Sequence, residues 1–414
     1  MRVIWFTNIA MPPVEDRLGY TKSVYGGWLW SLATALRRYT KVSLAIATAL
    51  PTKKALKFEC GGIMFYVQPE LAGLWDSKIG GLRHARRSSQ LVLDWEADVV
   101  HVHGTERFYG MIEPSDIEGR AVVVSIQGLL NACQRYRYSD TTMGDVLRLM
   151  TPRHMVRLQD PISQDVLWKR ACKREGQIIQ KHQHFIGRTD WDRAWLRTLN
   201  PNAHYYHCDE VLREVFYQST WDLPEVDRET LLCTSAMSPS KGVLTLLDAT
   251  AVLRRWGLGV SLRLAGNWAP NSSYGEIVRH RADSLGILKH IEFLGPLTAA
   301  QLADTMKRSH VLVSPSYIEN SSNSISEAML VGLPCVVSFV GGVTTTSRHT
   351  ETALMFPAGD SMLLADCVRR IITDANTAIC LSTQAKRVAG ERHNPEKIAR
   401  NQMAIYQSIA CAQD

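Results

Sequence analysis

Short apolar runs recur along the whole chain, each followed by a polar or glycine-bearing loop and then a stretch with apolar residues at helical spacing. In the first half these runs are residues 2–7, Val42–Ala47, Ile63–Val67, Asp98–His103, Ala121–Ile126 and His184–Gly187. In the second half they are Leu231–Thr234, Ser261–Ala265, Ile291–Leu294, Val311–Val313, Cys335–Phe339 and Leu354–Phe356. Helical stretches lie between them, such as Trp28–Arg38, where Leu29, Leu32, Ala33 and Leu36 share a face. Strands that read as continuous apolar runs, alternating with helices, belong to parallel sheets covered on both faces. The alternation occurs twice in a chain of 414 residues, too long for one core. The pattern therefore predicts an α/β protein of two doubly wound, Rossmann-like domains facing across a cleft. The boundary falls near Trp221-Asp222-Leu223-Pro224, giving domains over residues 1–210 and 211–392. An amphipathic last segment, 393–414, is expected to cross back to the first. The stretch through Pro12, Pro13 and Gly19 reads as a loop.

Chemistry concentrates at strand ends. After Val311–Val313 comes a polar loop with Glu319, then Glu327 with seven residues between them, then Gly332-Leu333-Pro334 and another strand. Asn323 or Ser324 is the expected cap of the helix that carries Glu327. The free N–H groups of its first turn suit a phosphate. The two carboxylates suit the hydroxyls of a sugar or ribose. Pro239-Ser240-Lys241-Gly242 places an ammonium between a strand and a helix start, where it can reach a diphosphate. Gly26-Gly27 precedes a helix and permits close backbone approach, or serves as a plain turn. His103 and Gln127 end neighbouring strands, where ligands of doubly wound folds bind. His103 is equally read as a hydrogen-bonded core histidine, and His101, deeper in the strand, as structural.

Charge and composition narrow the partners. Lys plus Arg exceed Asp plus Glu by 47 to 40, a net +7 that suits phosphorylated ligands or an anionic membrane face. Residues 134–193 hold twelve Lys/Arg against seven Asp/Glu, with Tyr136, Tyr138, Met150, Met155 and Trp168 interleaved. That stretch is either a solvated helical face or a surface for an anionic membrane or lipid phosphate. Zinc-finger spacing, RNA-binding signatures and Lys/Arg blocks are missing, so no nucleic-acid partner is expected. Nine scattered cysteines without C-x-x-C read as reduced thiols of a cytoplasmic protein, peripheral at most on the inner membrane face. No apolar stretch is long enough to span a bilayer. Residues 1–7 read as a first strand rather than a signal peptide.

With these residues in place, the chain resembles the retaining family-4 glycosyltransferases of the GT-B fold, over nearly its whole length and most closely in residues 231–360. Glu319–Glu327 matches the family's Glu, seven residues, Glu signature, Pro239–Gly242 its diphosphate-binding lysine loop, and Gly26-Gly27 its N-terminal glycine loop. The resemblance implies that Glu319 meets donor-sugar hydroxyls and Glu327 the ribose. It also implies that the backbone N–H groups of Ser322, Asn323 and Ser324 hold the phosphates beside Lys241. Ser235, Gly266 and Leu297 complete the implied donor site, and His103, Gln127, Lys241 and Glu319 the implied catalytic set. Two positions depart from the family: Gln127 stands where many members have histidine, and Ser235 where many have an arginine. Arg188 is a candidate to replace that charge. The runs Gly187–Asp192 and Ile318–Ser324 resemble a bacterial surface-polysaccharide subgroup.

The implied function is retaining transfer of a hexose from a nucleotide-diphosphate donor, UDP- or GDP-linked, to a glycan or lipid-linked acceptor, without metal or cofactor. An epimerase or phosphorylase on the same fold, or a non-catalytic nucleotide-sugar-binding subunit, is the alternative. Asp190-Trp191-Asp192 spells the D-x-D metal signature of another glycosyltransferase architecture. Following Thr189, at the positive end of a helix, it reads as a helix start. His207-Cys208-Asp209-Glu210 are adjacent residues that cannot easily converge on one ion.

Overall fold

The computed structural model describes residues 1–20, 26–70, 78–148, 150, 155, 160–267 and 273–411. Two parallel sheets form where the apolar runs lie. The first contains β1 (Arg2–Thr7), β2 (Ser43–Leu50), β3 (Leu56–Cys60), β4 (Ile63–Pro69), β5 (Val99–His103), β6 (Ala121–Ser125), β7 (His184–Gly187) and β8 (His204–His207). Their order is β3-β4-β2-β1-β5-β6-β7-β8. Only β3, paired with β4, runs antiparallel. β3 and β8 are the two strands that the apolar pattern misses. They are edge strands with exposed, polar positions, because a strand with one neighbour has less to bury.

The second sheet contains β9 (Thr230–Thr234), β10 (Ser261–Ala265), β11 (Ile291–Gly295), β12 (Val311–Ser314), β13 (Cys335–Ser338) and β14 (Leu354–Phe356), in the order β11-β10-β9-β12-β13-β14. Every pairing in it is parallel. This is the doubly wound order, and chain direction across the sheet reverses between β9 and β12. The equivalent reversal in the first sheet lies between β1 and β5. Loops leaving the strands on either side of such a point diverge and open a crevice at the strands' carboxyl ends.

The helices needed below are α1 (Gly27–Tyr39), α2 (Pro161–Lys181), α3 (Asp190–Leu199), α4 (Val243–Arg255), α5 (Asn323–Val331) and α6 (Pro395–Cys411). A further helix, Pro12–Leu18, replaces the loop expected there. Proline at its first turn lacks only an N–H that would be unpaired anyway, and Gly19 ends it in the left-handed conformation.

The packing units are discontinuous in sequence. One joins Met1–Ala132, Lys169–Leu212 and His393–Asp414; the other joins Cys133–Trp168 and Arg213–Arg392. In the first unit α6 lays Ile398, Ile405, Tyr406 and Ile409 against Val3, Trp5, Leu32 and Leu36. The Tyr406 hydroxyl accepts from Trp5 Nε1 at 2.9 Å and meets His101 Nδ1 at 2.6 Å, while His101 Nε2 meets Ser125 Oγ at 2.7 Å. Both His101 nitrogens are thus occupied in the core, a structural role. Burial lowers its pKa to about 3.

Residues 133–168 belong to the second unit, not to a first domain of residues 1–210. Asp140 is one tie between them and that unit. Its carboxylate accepts from Leu244 N at 2.5 Å and Thr245 N at 3.2 Å, capping α4 from outside the helix. Thr245 Oγ1 and the Tyr274 hydroxyl also donate to it, at 2.7 and 3.0 Å.

Candidate functional site

In the second unit the crevice-forming loops are those after β9 and β12, and these carry Lys241 and Glu319. Gly242 holds a left-handed backbone (φ 68°), and a Cβ there would collide with the Pro315 carbonyl, so the lysine loop presses directly on the end of β12. Tyr317 N donates to Ser240 O at 2.8 Å and ties the two loops together. Lys241 Nζ then donates to Glu319 Oε1 at 2.5 Å, and Ser316 Oγ donates to the same oxygen at 2.7 Å. Burial works against the ammonium, but the Glu319 carboxylate outweighs it and holds the lysine pKa above its ordinary value. Gly341 lies so close to the Glu319 carbonyl that a Cβ would not fit, and Gly342 N donates to that carbonyl at 2.9 Å. The glycine pair thereby fixes the backbone of the loop's carboxylate.

Beyond Glu319 the chain enters α5. Its N-cap is Ser322, not Asn323 or Ser324, and no side chain bonds the first-turn N–H groups. Helical backbone begins at Asn323, so neither expected residue occupies the cap position. The uncapped end leaves N–H donors for an anion. Asn323 Oδ1 is buried and has no hydrogen-bond partner among the described residues.

Glu327 is almost fully buried, and both its oxygens are held by Arg213, Nε to Oε1 at 2.8 Å and Nη2 to Oε2 at 2.7 Å. Burial raises its pKa, against the pull of Arg213. A carboxylate has about four acceptor positions, so this fork leaves capacity for a ribose hydroxyl. Arg213 was not legible: it stands 114 residues from its partner, in a connection without periodic pattern.

Ser235 and Gly266 lie side by side at the ends of β9 and β10, where Ser235 N donates to Ala265 O at 3.0 Å. Leu297 follows β11, at the edge of the sheet and away from the reversal point. A cavity of about 430 Å³ opens beside Asp140, Thr245, Asp248, His280 and Tyr317, large enough for a small sugar.

In the first unit, His103, Gln127 and Arg188 come together around a cavity of about 20 Å³ that Trp28, next to Gly27, also lines. That volume holds about one water. The Arg188 guanidinium donates to Ile126 O at 2.6 Å and Gln127 Oε1 at 3.1 Å, and pairs with buried Glu210. Its charge is therefore engaged within the first unit, and in the second Arg213 joins Lys241 as a cation that meets a predicted donor residue. Both His103 nitrogens are buried without a hydrogen-bond partner among the described residues. Burial, then the charges of His101 and Arg188, keep its pKa well below the usual histidine range. His103 is thus neutral at physiological pH, able to donate or accept one hydrogen bond from each nitrogen. Gly26 is the N-cap of α1, with φ 75°, packed against Ile9.

The D-x-D is spent on the start of α3. Asp192 and Thr189 form a reciprocal capping box, Asp192 also accepts from Arg188 N at 2.9 Å and the Tyr205 hydroxyl at 2.7 Å, and Asp190 pairs with Arg193. The basic stretch is only partly a solvated face. Within α2, Glu175 is fully buried and accepts from Thr105 Oγ1, Leu130 N and Asn131 N at 2.7, 3.0 and 2.9 Å. Residues 149, 151–154 and 156–159 of that stretch lie outside the described residues.

Residues 228–374 match the family described as Glycosyl transferases group 1. They form a group 1 glycosyl transferase domain on a GT-B fold. The match covers the Lys241–Glu319 pair and Glu327, and is consistent with a family-4 glycosyltransferase. Among curated relatives, a D-inositol 3-phosphate glycosyltransferase of Corynebacterium efficiens is 30% identical over 151 residues, 36% of each chain. A GDP-mannose-dependent alpha-(1-6)-phosphatidylinositol monomannoside mannosyltransferase of Mycobacterium tuberculosis is 25% identical over 167 residues, 39% of this chain and 42% of that one. The matched stretches thus span well under half of those two relatives. Over the whole length, the glycosyl transferase domain and its companion unit share the fold of sucrose-phosphate synthase from Thermosynechococcus elongatus, with TM-score 0.72, 16% identity and 99% of both chains covered.

Proposed function

We propose that the protein is a retaining glycosyltransferase that moves a hexose from a nucleotide-diphosphate donor to a glycan or lipid-linked saccharide of surface polysaccharide synthesis. The observation that carries this reading is the contact of Lys241 with Glu319 across the reversal point of the second sheet, ahead of an uncapped helix start. The lysine has three N–H donors and spends one on Glu319, so two remain to meet diphosphate oxygens. With the α5 amides it stabilises the negative charge that grows on the leaving group, the main demand of the reaction. Glu319 accepts from donor-sugar hydroxyls and Glu327 from the ribose.

On the front face, the anomeric carbon–phosphate oxygen bond breaks as the acceptor oxygen bonds the same carbon. The departing phosphate oxygen takes the acceptor's proton. No protein base is then needed, so Gln127 fits where the family often has histidine, and neutral His103 serves as a hydrogen-bonding group. Protein cations fill the place of a metal. The relative named for a phosphatidylinositol mannoside supports the lipid-linked branch of the acceptor reading, and its named donor supports GDP over UDP.

Glu319→Ala and Lys241→Ala are expected to lower transfer by roughly 10²-fold or more in purified, folded protein; wild-type turnover in either defeats the assignment. Activity is expected to persist in EDTA, and the product's anomeric proton coupling to match that of the donor. Incubation with donor alone, or with donor and phosphate, tests for the isomerised or phosphorolysed product of an epimerase or phosphorylase.

A further inference from the structure

The cavity of about 430 Å³ beside Asp140 takes no part in the chemistry assigned above. Its walls belong to the second unit alone: the turn around Asp140, the first half of α4, the helix Ser273–Ser284 and Tyr317. Among the described residues, neither Lys241, Glu319, Glu327 nor the first turn of α5 lines it. Tyr317 is the link to the donor loops, because its backbone N–H donates to Ser240 O at 2.8 Å, next to Lys241. The volume falls within the range of small-molecule sites.

The lining is rich in hydroxyls whose protons are already spent within the protein. Thr141 Oγ1 donates to Tyr138 O at 2.8 Å, Thr142 Oγ1 to Asp145 at 2.7 Å, Thr245 Oγ1 to Asp140 at 2.7 Å and Ser284 Oγ to Arg281 O at 2.8 Å. A hydroxyl that donates inward has lone pairs left with which to accept. Asp248 adds a carboxylate. Among the described residues, Arg281 bonds it only through Oδ1, at 2.9 and 2.7 Å, so Oδ2 keeps acceptor capacity. Such a wall asks for a ligand that brings several donors of its own. An anion would face Asp140, Asp145 and Asp248 against one guanidinium among the described lining residues. A cation would find Asp140 already bonded by Leu244, Thr245 and Tyr274, and Asp248 paired with Arg281. A neutral sugar meets the demand: its hydroxyls donate to the wall and accept from Arg281, and its C–H faces suit Leu244 and Ile277.

We propose that this cavity is a carbohydrate site for a neutral hexose ring, separate from the donor crevice and joined to it through Tyr317. The proposal goes beyond the functional reading. Its test reads binding without turnover, so the two fail separately. Saturation-transfer NMR on the full chain, with the methyl α-glycosides of mannose, glucose and galactose as probes, detects weak binding directly. At least one glycoside is expected to receive signal, with a dissociation constant on the order of 1 mM. It should keep that signal when UDP or GDP is added in excess. His280→Trp, which fills the cavity from an exposed helix position, and Asp248→Ala, which removes an acceptor, should each weaken binding by roughly tenfold. Melting temperatures close to the parent's establish that the variants are folded. The proposal is overturned if no glycoside receives signal from the parent, or if nucleotide erases the signal, since the sugar would then sit in the donor crevice. It is also overturned if both variants bind as the parent does, or if spermidine displaces the glycoside, since the aspartates would then hold an amine.

Discussion

The two sheets reverse direction at equivalent places, yet the chemistry gathered there is opposite in kind. In the second unit the reversal point holds Lys241 and Glu319, with the fork of Arg213 on Glu327 set in the helix that follows. In the first it holds His103, stripped of charge by burial, beside an Arg188 whose guanidinium is neutralised by Glu210. A shared topology therefore supplies a crevice without deciding what enters it. Paired charges that a ligand can re-share suit a diphosphate. Neutral polar groups with unspent hydrogen bonds suit sugar or acceptor hydroxyls.

The sharpest way to break this contrast is to unpair the charges of the second unit. Arg213→Ala leaves Glu327 buried without its partner and should cost about 3–5 kcal/mol in urea unfolding. Adding Glu327→Gln should recover part of that loss, since the buried charge is gone. Next, Lys241→Ala is expected to lower transfer by roughly 10²–10³-fold, as removal of one charge-stabilising donor does elsewhere. Gln127→Ala should cost only about tenfold if the first unit positions rather than stabilises charge; equal losses would erase the distinction.

Acid stability should separate the units as well. His101 binds its proton only after unfolding, because its folded pKa is lowered to about 3. Its contribution is therefore complete above about pH 6.5 and is lost as pH falls towards 3, a change on the order of a few kcal/mol. His101→Gln should flatten urea midpoints across that window. His310 in the second unit, lowered to about 4 by burial and Arg228, should leave a shallower dependence behind. Asp140→Asn turns an NH₂ group toward buried donors that the carboxylate now accepts from, and should cost about 1–3 kcal/mol in urea unfolding.

What was legible in the sequence follows the range of the interactions. Glu319, Glu327 and Lys241 announce themselves because strand, loop and helix lie together in the chain, and the apolar runs place the loops at strand ends. The partners that hold them do not. Arg213 reaches Glu327 across 114 residues, Asp140 reaches Leu244 across 104, and Tyr406 reaches His101 across 305. Nothing at residue 133 marks the passage to the second unit, and the bonds of Asp140 to a helix start 104 residues away leave no trace in the local pattern. Pro12 and Pro13 look like a loop until the unpaired first turn of a helix is considered, and β8 is too short and polar to register as a strand.

The central claim is that a diphosphate sits on the first-turn amides of α5 beside Lys241. Amide hydrogen exchange with and without saturating UDP and GDP tests it directly. At least one nucleotide should slow exchange at residues 323–325, and Lys241→Ala should lose most of that protection. Unchanged exchange at those amides, with nucleotide shown to be bound, would contradict the account.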